Sequence, residues 1–331
     1  MNSTTMSTDG IVLVTGGGGF IGGHLVASLI ADGYQVRSVD IKPFDEWYQR
    51  HPEADNRVLD VSLLQDAMSA VEGTRYVFNL AADMGGMGFI ENNKALCMLS
   101  VLTSTHVLMA ARDHGVERLF YSSSACVYAA DKQTNPEITA LVEADAYPAM
   151  PEDGYGWEKL FSERMAHHFY EDYGLETRVA RYHNVYGPNG TYDGGREKAP
   201  AAISRKVALA KLTGDHTIDI WGDGLQTRSF MYIDDCVYGT RMLLESDIRE
   251  PLNVGSSELV TINDLVAMTE KIAGVSLKRT HDLSAPQGVR GRNSDNTRIL
   301  ELAGWEPSTS LQEGMERTYA WVYDQLVARG Y

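Results

Sequence analysis

The run Ile11-Val12-Leu13-Val14-Thr15 constrains this chain more than any other segment. A continuous apolar and branched run, with no polar alternation, suits a strand covered on both faces, and such strands belong to parallel sheets between two helix layers. Gly16, Gly19 and Gly22 follow at once, and a helical pattern over 20–32 stops at Gly33. The rhythm then repeats, predicting strands at 35–39, 57–59, 76–81, 118–122 and 176–180 and helices at 93–114 and 156–173. Strands alternating with helices at this spacing imply an α/β fold with a parallel, doubly wound sheet.

Beyond about residue 181 the pattern loosens. A helix is expected over 199–212, a last helix near 311–329, and two strand-like stretches, 228–233 and 252–255, are expected to return to the sheet. This divides the chain into a cofactor-binding domain, 10–180 with about 229–258, and a smaller mixed α/β lobe for the substrate, about 181–228 with 259–331. Residues 1–9 read as a frayed tail, and 42–57 and 131–146 as individual polar loops that touch no motif.

Composition limits the partners. A formal net charge of −16 over 331 residues argues against nucleic acid and anionic membrane surfaces. No signal peptide and no run of about 18 apolar residues is visible, so a soluble, cytoplasmic protein is expected. Cys97, Cys126 and Cys236 are odd in number and form no CxxC pair, so neither a disulfide framework nor a metal site is expected.

The glycine triplet Gly16-x-x-Gly19-x-x-Gly22 lies between a predicted strand and a predicted helix. There it lets the backbone approach a pyrophosphate at the positive end of the helix, and Phe20 and Ile21 fall in the same turn. Asp40 ends the second strand 18 residues beyond Gly22, where a carboxylate accepts from ribose hydroxyls and repels a 2′-phosphate. NAD is therefore favoured over NADP, although Lys42 close by weakens that preference slightly.

Tyr155 and Lys159 stand four apart at the start of a predicted helix and share one face. A free tyrosine ionises near pH 10, so to act as a base near neutrality it needs about 4 kcal/mol of anion stabilisation. An ammonium ~4 Å away supplies roughly that at an effective dielectric of about 20. The pair suits alcohol oxidation, with tyrosinate taking the hydroxyl proton as hydride leaves. Ser124 closes the run Ser122-Ser123-Ser124 after a predicted strand, where its hydroxyl can bond the same substrate oxygen.

With these motifs in this order the chain resembles the extended short-chain dehydrogenase/reductases, with Asp60-Val61 and Leu80-Ala81-Ala82 adding to the match. That resemblance implies a Rossmann-type fold with NAD against those residues. Longer strings narrow it: Ala81 to Ile90, Ser123 to Tyr128, Gly194 to Pro200, Trp221 to Phe230 and Val289 to Asn296 are similar to the GDP-mannose 3,5-epimerases. The resemblance implies isomerase chemistry on GDP-mannose or a related nucleotide sugar, with tightly bound, recycled NAD and homodimers built on the helices over 93–114 and 156–173. It implies that Cys126 and Lys198 are the acid/base pair, one on each face of the ring. It also places Gly85, Asn184, Lys206, Gln226, Arg228, Ser229 and Arg292 around the sugar, diphosphate or base. Readings left open are a 4-epimerase, a 4,6-dehydratase, a reducing epimerase similar to GDP-fucose synthase, and an NAD-binding regulator without turnover. Ala125 and Cys126 stand where a dehydratase usually has a carboxylate, and Asp40 disfavours the NADPH that the reducing enzyme consumes.

Overall fold

The computed structural model describes residues 6–137 and 139–331. The first half runs β1 (Ile11–Thr15), α1 (Phe20–Ala31), β2 (Gln35–Asp40), β3 (Asp55–Val58), α2 (Leu64–Val71), β4 (Thr74–Asn79), α3 (Met87–Asn92), α4 (Lys94–Asp113), β5 (Arg118–Ser124), α5 (Tyr155–Tyr173) and β6 (Glu176–Tyr182). The second half runs β7 (Val185–Tyr186), α6 (Ala199–Thr213), β8 (Thr217–Trp221), β9 (Thr227–Ser229), β10 (Met231–Tyr232), α7 (Ile233–Glu245), β11 (Leu252–Val254), β12 (Leu259–Thr261), α8 (Ile262–Ala273), β13 (Lys278–Asp282), β14 (Gly291–Arg292), α9 (Thr297–Ala303) and α10 (Leu311–Ala328).

Seven strands form one parallel sheet in the order β11-β6-β5-β4-β1-β2-β3. This is a Rossmann-like arrangement, with the order reversing between β1 and β4. Because successive side chains point to opposite faces, β1 feeds two cores. Val12 and Val14 join Phe78, Phe120 and Ala180 on the α1 and α7 face. Leu13 joins Val77, Leu119 and Val179 under α2, α4 and α5 on the other. The first core continues without a break into α6, α8 and α10, so the smaller lobe is packed onto the sheet through shared side chains.

Several sequence expectations need correction. Of the two stretches expected to rejoin the sheet only β11 does; β9 pairs with β12 and β14, and β10 with β7. Helices α2 and α3 lie where no element was expected, since eight and six residues hold too few turns for a clear period. The loop over 42–57 contains the buried Trp47 and the start of β3. Met6 is buried and its carbonyl accepts from the Tyr34 hydroxyl, so the proposed tail is anchored there; residues 1–5 lie outside the described residues. Helix α4 reaches a mean hydropathy of 1.4, long and apolar enough to cross a membrane by length and composition, with 44% of that stretch buried inside the fold.

Candidate active site

The carboxyl ends of the parallel strands collect the chemistry. After β1 the chain turns through Gly16, at φ +72°, into α1. The Gly19 amide donates to the Gly16 carbonyl at 3.0 Å and closes the turn. A Cβ on Gly22 would lie 2.1 Å from that carbonyl, so the helix can start this close only with glycine there. Asp40, buried at the end of β2, accepts from the Gly18 amide at 3.1 Å and the Lys42 amide at 3.1 Å. Each carboxylate oxygen keeps a further lone pair for ribose hydroxyls. Thr15 Oγ1 receives the amides of Leu80 and Ala81 at 3.2 and 3.3 Å, tying the end of β4 to the same cradle. Asp60 accepts from the Ser62 amide beside it, Val61 is buried, and Ile21 and Phe20 pack against the core. The buried Asn79 side-chain nitrogen has no partner among the described residues. A dinucleotide pyrophosphate fits this arrangement of close glycines, helix N-terminus and ribose-binding carboxylate.

The turn carrying the candidate catalytic residues follows β5. Ser124 ends that strand, and its hydroxyl accepts from the Cys126 amide at 3.2 Å, which caps a single 3-10 turn. Helix α5 starts at Tyr155, after Gly154 at φ +79°, where a Cβ would meet Lys94 at 3.0 Å. Tyr155 and Lys159 are both buried on one face of α5, as the four-residue spacing requires, and the ammonium sits 5.5 Å from the Tyr155 ring centre. It donates to the Ser122 carbonyl at 3.1 Å and lies 3.7 Å from Glu158. Burial drives the Tyr155 hydroxyl well above its usual value, Cys126, Glu158 and Glu152 push the same way, and the hydrogen bond with Ser124 opposes them.

Cys126 is buried in a small cluster with Ile90, Cys97 and Tyr155. Burial raises its thiol, Glu152 adds to the rise, and Arg292 opposes it. Lys198 stands at the N-cap of α6. Burial lowers its ammonium and Arg292 repels it, while Cys126 and Glu152 pull it back up. The thiol is thus raised and the amine lowered, and Lys198 lies within the field of Cys126. The segment carrying Lys198 is strapped to the turn before α3. The Gly86 amide donates to the Arg196 carbonyl at 3.0 Å, and the Arg196 guanidinium lies 3.8 Å over the Phe89 ring. Gly85 sits in this strap, where a Cβ would strike Phe89 at 2.8 Å.

The residues expected around a nucleotide diphosphate divide into two groups. Arg292 enters the catalytic cluster, where its guanidinium reaches Cys126 Sγ at 3.3 Å, Gln133 Oε1 at 2.6 Å and Glu152 Oε2 at 3.2 Å. The others line the smaller lobe. Asn184 donates to the Ser229 carbonyl at 3.1 Å, and Gln226 to the Trp221 carbonyl at 3.0 Å. The buried Gln226 Oε1 and Ser229 Oγ have no partner among the described residues. Arg228 spends its fork on the carbonyls of Thr227, Gln287 and Val289, and burial, with Arg292 nearby, pulls it down to about 9. Lys206 is paired with Asp219 at 2.7 Å.

Two residues of this site escaped sequence reasoning. Gln133 belongs to the loop over 131–146, expected to touch no motif, yet it holds Arg292. Glu152 precedes Tyr155 by three residues and belongs to none of the motifs. The loop over 42–57 touches a motif too, for a Cβ on Gly18 would meet Trp47 at 2.5 Å.

Comparison with known proteins agrees with this geometry. The NAD dependent epimerase/dehydratase family matches residues 12–255. The chain is 43% identical over 316 residues to GDP-mannose 3,5-epimerase of Arabidopsis thaliana, covering 95% of this chain and 82% of that protein. It is 44% identical, with the same coverage of 95% and 82%, to GDP-mannose 3,5-epimerase 1 of Oryza sativa subsp. japonica. Among solved structures, UDP-glucose 4-epimerase of Thermotoga maritima with UDP-glucose superposes with a TM-score of 0.86 at 27% identity, covering 96% of this chain and 99% of that one.

Proposed function

Since the chain belongs to the NAD dependent epimerase/dehydratase family, we propose that it inverts C3 and C5 of GDP-mannose by transient oxidation at C4. The products are GDP-L-galactose, GDP-L-gulose or both. The observation that carries this reading is the meeting of Ser124, Tyr155 and Lys159 with two further titratable groups, Cys126 and Lys198, which are the candidates for proton carriers. A 4-epimerase needs only the first three.

NAD held by the Gly16 to Gly22 turn and Asp40 would supply a reversible hydride acceptor for C4. Ser124 and Tyr155 hold the C4 oxygen, and Tyr155 takes its proton as the tyrosinate that the buried Lys159 ammonium favours. A ketone at C4 acidifies the protons on both neighbouring carbons, so each can leave as a proton and return from the other face. Cys126 and Lys198 are the two groups that take and give those protons. Arg228, Gln226 and Ser229, with Asn184, form the wall for the nucleotide.

The chain also offers a surface for a second copy. Leu99 and Leu102 on α4 and Trp157 and Phe161 on α5 are 56%, 42%, 44% and 54% exposed. Lys94 abuts Gly154 and Thr105 reaches Met165, so the two helices run side by side and present one apolar face. A homodimer through this face follows.

The function is tested by incubating the protein with GDP-mannose in heavy water without reductant and following the sugar protons by NMR. Deuterium at C3 and C5, with new GDP-hexoses and no net NADH, is the expected result. Unexchanged GDP-mannose in the presence of NAD-loaded protein would overturn the substrate assignment.

A further inference from the structure

We propose that Glu152 is a positioning residue for Cys126, holding the thiol protonated and aiming Arg292 at its sulfur. The inference rests on the reading of Cys126 as a proton carrier. Glu152 is tied to Cys126 by three routes. Its amide donates to the Cys126 carbonyl at 2.9 Å. Its Oε2 accepts from Arg292, whose other arm reaches the sulfur. Its carboxylate charge also acts on the thiol, with the effect of raising it.

The geometry explains why one acid does both jobs. A guanidinium is a rigid planar fork, so holding two of its edges fixes the third. Gln133 takes Nε and Glu152 takes Nη2, which leaves Nη1 pointed at Sγ. Alone, that arginine would favour the thiolate, a weaker base the more it is stabilised. The Glu152 charge, shared with Arg292, offsets the effect. Glu152 Oε1 is buried without a partner among the described residues, so an oxygen remains for the thiol proton. Among the described residues, the other ionisable groups set against Cys126 include Lys198, Tyr155, Arg228 and Cys97, and none of these supplies a second carboxylate.

The test is the pH dependence of iodoacetamide labelling at Cys126, read peptide by peptide by mass spectrometry on NAD-loaded protein. In Glu152→Gln, which keeps shape and removes charge, the labelling midpoint should move acid by about one pH unit, and labelling at neutral pH should rise about tenfold. The limb of the C3/C5 deuterium-exchange profile that reports the thiol should move with it. Glu152→Asp keeps the charge and should leave the midpoint near that of the parent protein, which covers the case of a Gln variant that does not fold. An unmoved or alkaline midpoint in the Gln variant, or an acid shift in the Asp variant, overturns the proposal. Labelling needs no sugar, so an acid shift in a protein that leaves GDP-mannose untouched sinks the substrate assignment and keeps this role for Glu152.

Discussion

At the scale of single residues, the cofactor cradle depends on the absence of an atom. Gly22→Ala would place a methyl 2.1 Å from the Gly16 carbonyl, and backbone on both sides cannot yield cheaply. The expected outcome is a fall in NAD affinity of about a hundredfold with loss of thermal stability, measured by NAD content after gel filtration and by Tm; unchanged NAD retention would contradict the close-approach argument. Tyr155→Phe removes one hydroxyl from a buried site without opening a cavity. The fold and NAD binding should persist while C3 and C5 exchange slows about 10²–10⁴-fold, the range for losing a positioned proton carrier. Both residues were visible in the sequence because each acts through neighbours within a turn. Glu152 and Gln133 were not, because their partner Arg292 is 140 and 159 positions away.

At the scale of elements, the same distinction separates what could be read early. β1 stands out because a strand buried on both faces is an apolar run, β2, β5 and β6, which carry polar residues, through their place in the strand–helix alternation, and α4, α5 and α10 because their periods run for several turns. α2 and α3 are too short for a period, and β9, β10 and β14 too short for an alternation, so their partners decide them. The exposed face of α4 and α5 gives a prediction at this level. Leu102→Glu with Phe161→Glu introduces two charges into the apolar face, and both side chains are exposed, so folding costs little. Light scattering should report a dimer for the parent protein and a monomer for the double variant; a monomeric parent would remove the proposed interface.

For the whole molecule, the core carries a buried histidine that couples folding to pH. His183 Nε2 meets Asn253 Oδ1 at 2.9 Å, and burial lowers its pKa to about 3. The unfolded chain takes a proton there near pH 6.5 and the folded one does not, so this contribution is fully present above about 6.5 and is lost as pH falls toward 3, by up to about 1.4 kcal/mol per pH unit. Urea midpoints between pH 7 and pH 5 should fall in the parent protein and fall less steeply in His183→Gln; parallel slopes would remove His183 from the account. No pattern in the sequence marks His183, since residues distant in the chain, Asn253 and Tyr128 among them, enclose it. The turn after β5 has a consequence of another kind. Position 126 holds its place through its amide, which any residue but proline can offer to Ser124, so its side chain is not needed to shape the turn. Hydride transfer and carbon-acid chemistry are thus separable under mutation. A lineage can trade the group at position 126, and with it the stereocentre that is inverted, while inheriting the oxidation machinery intact.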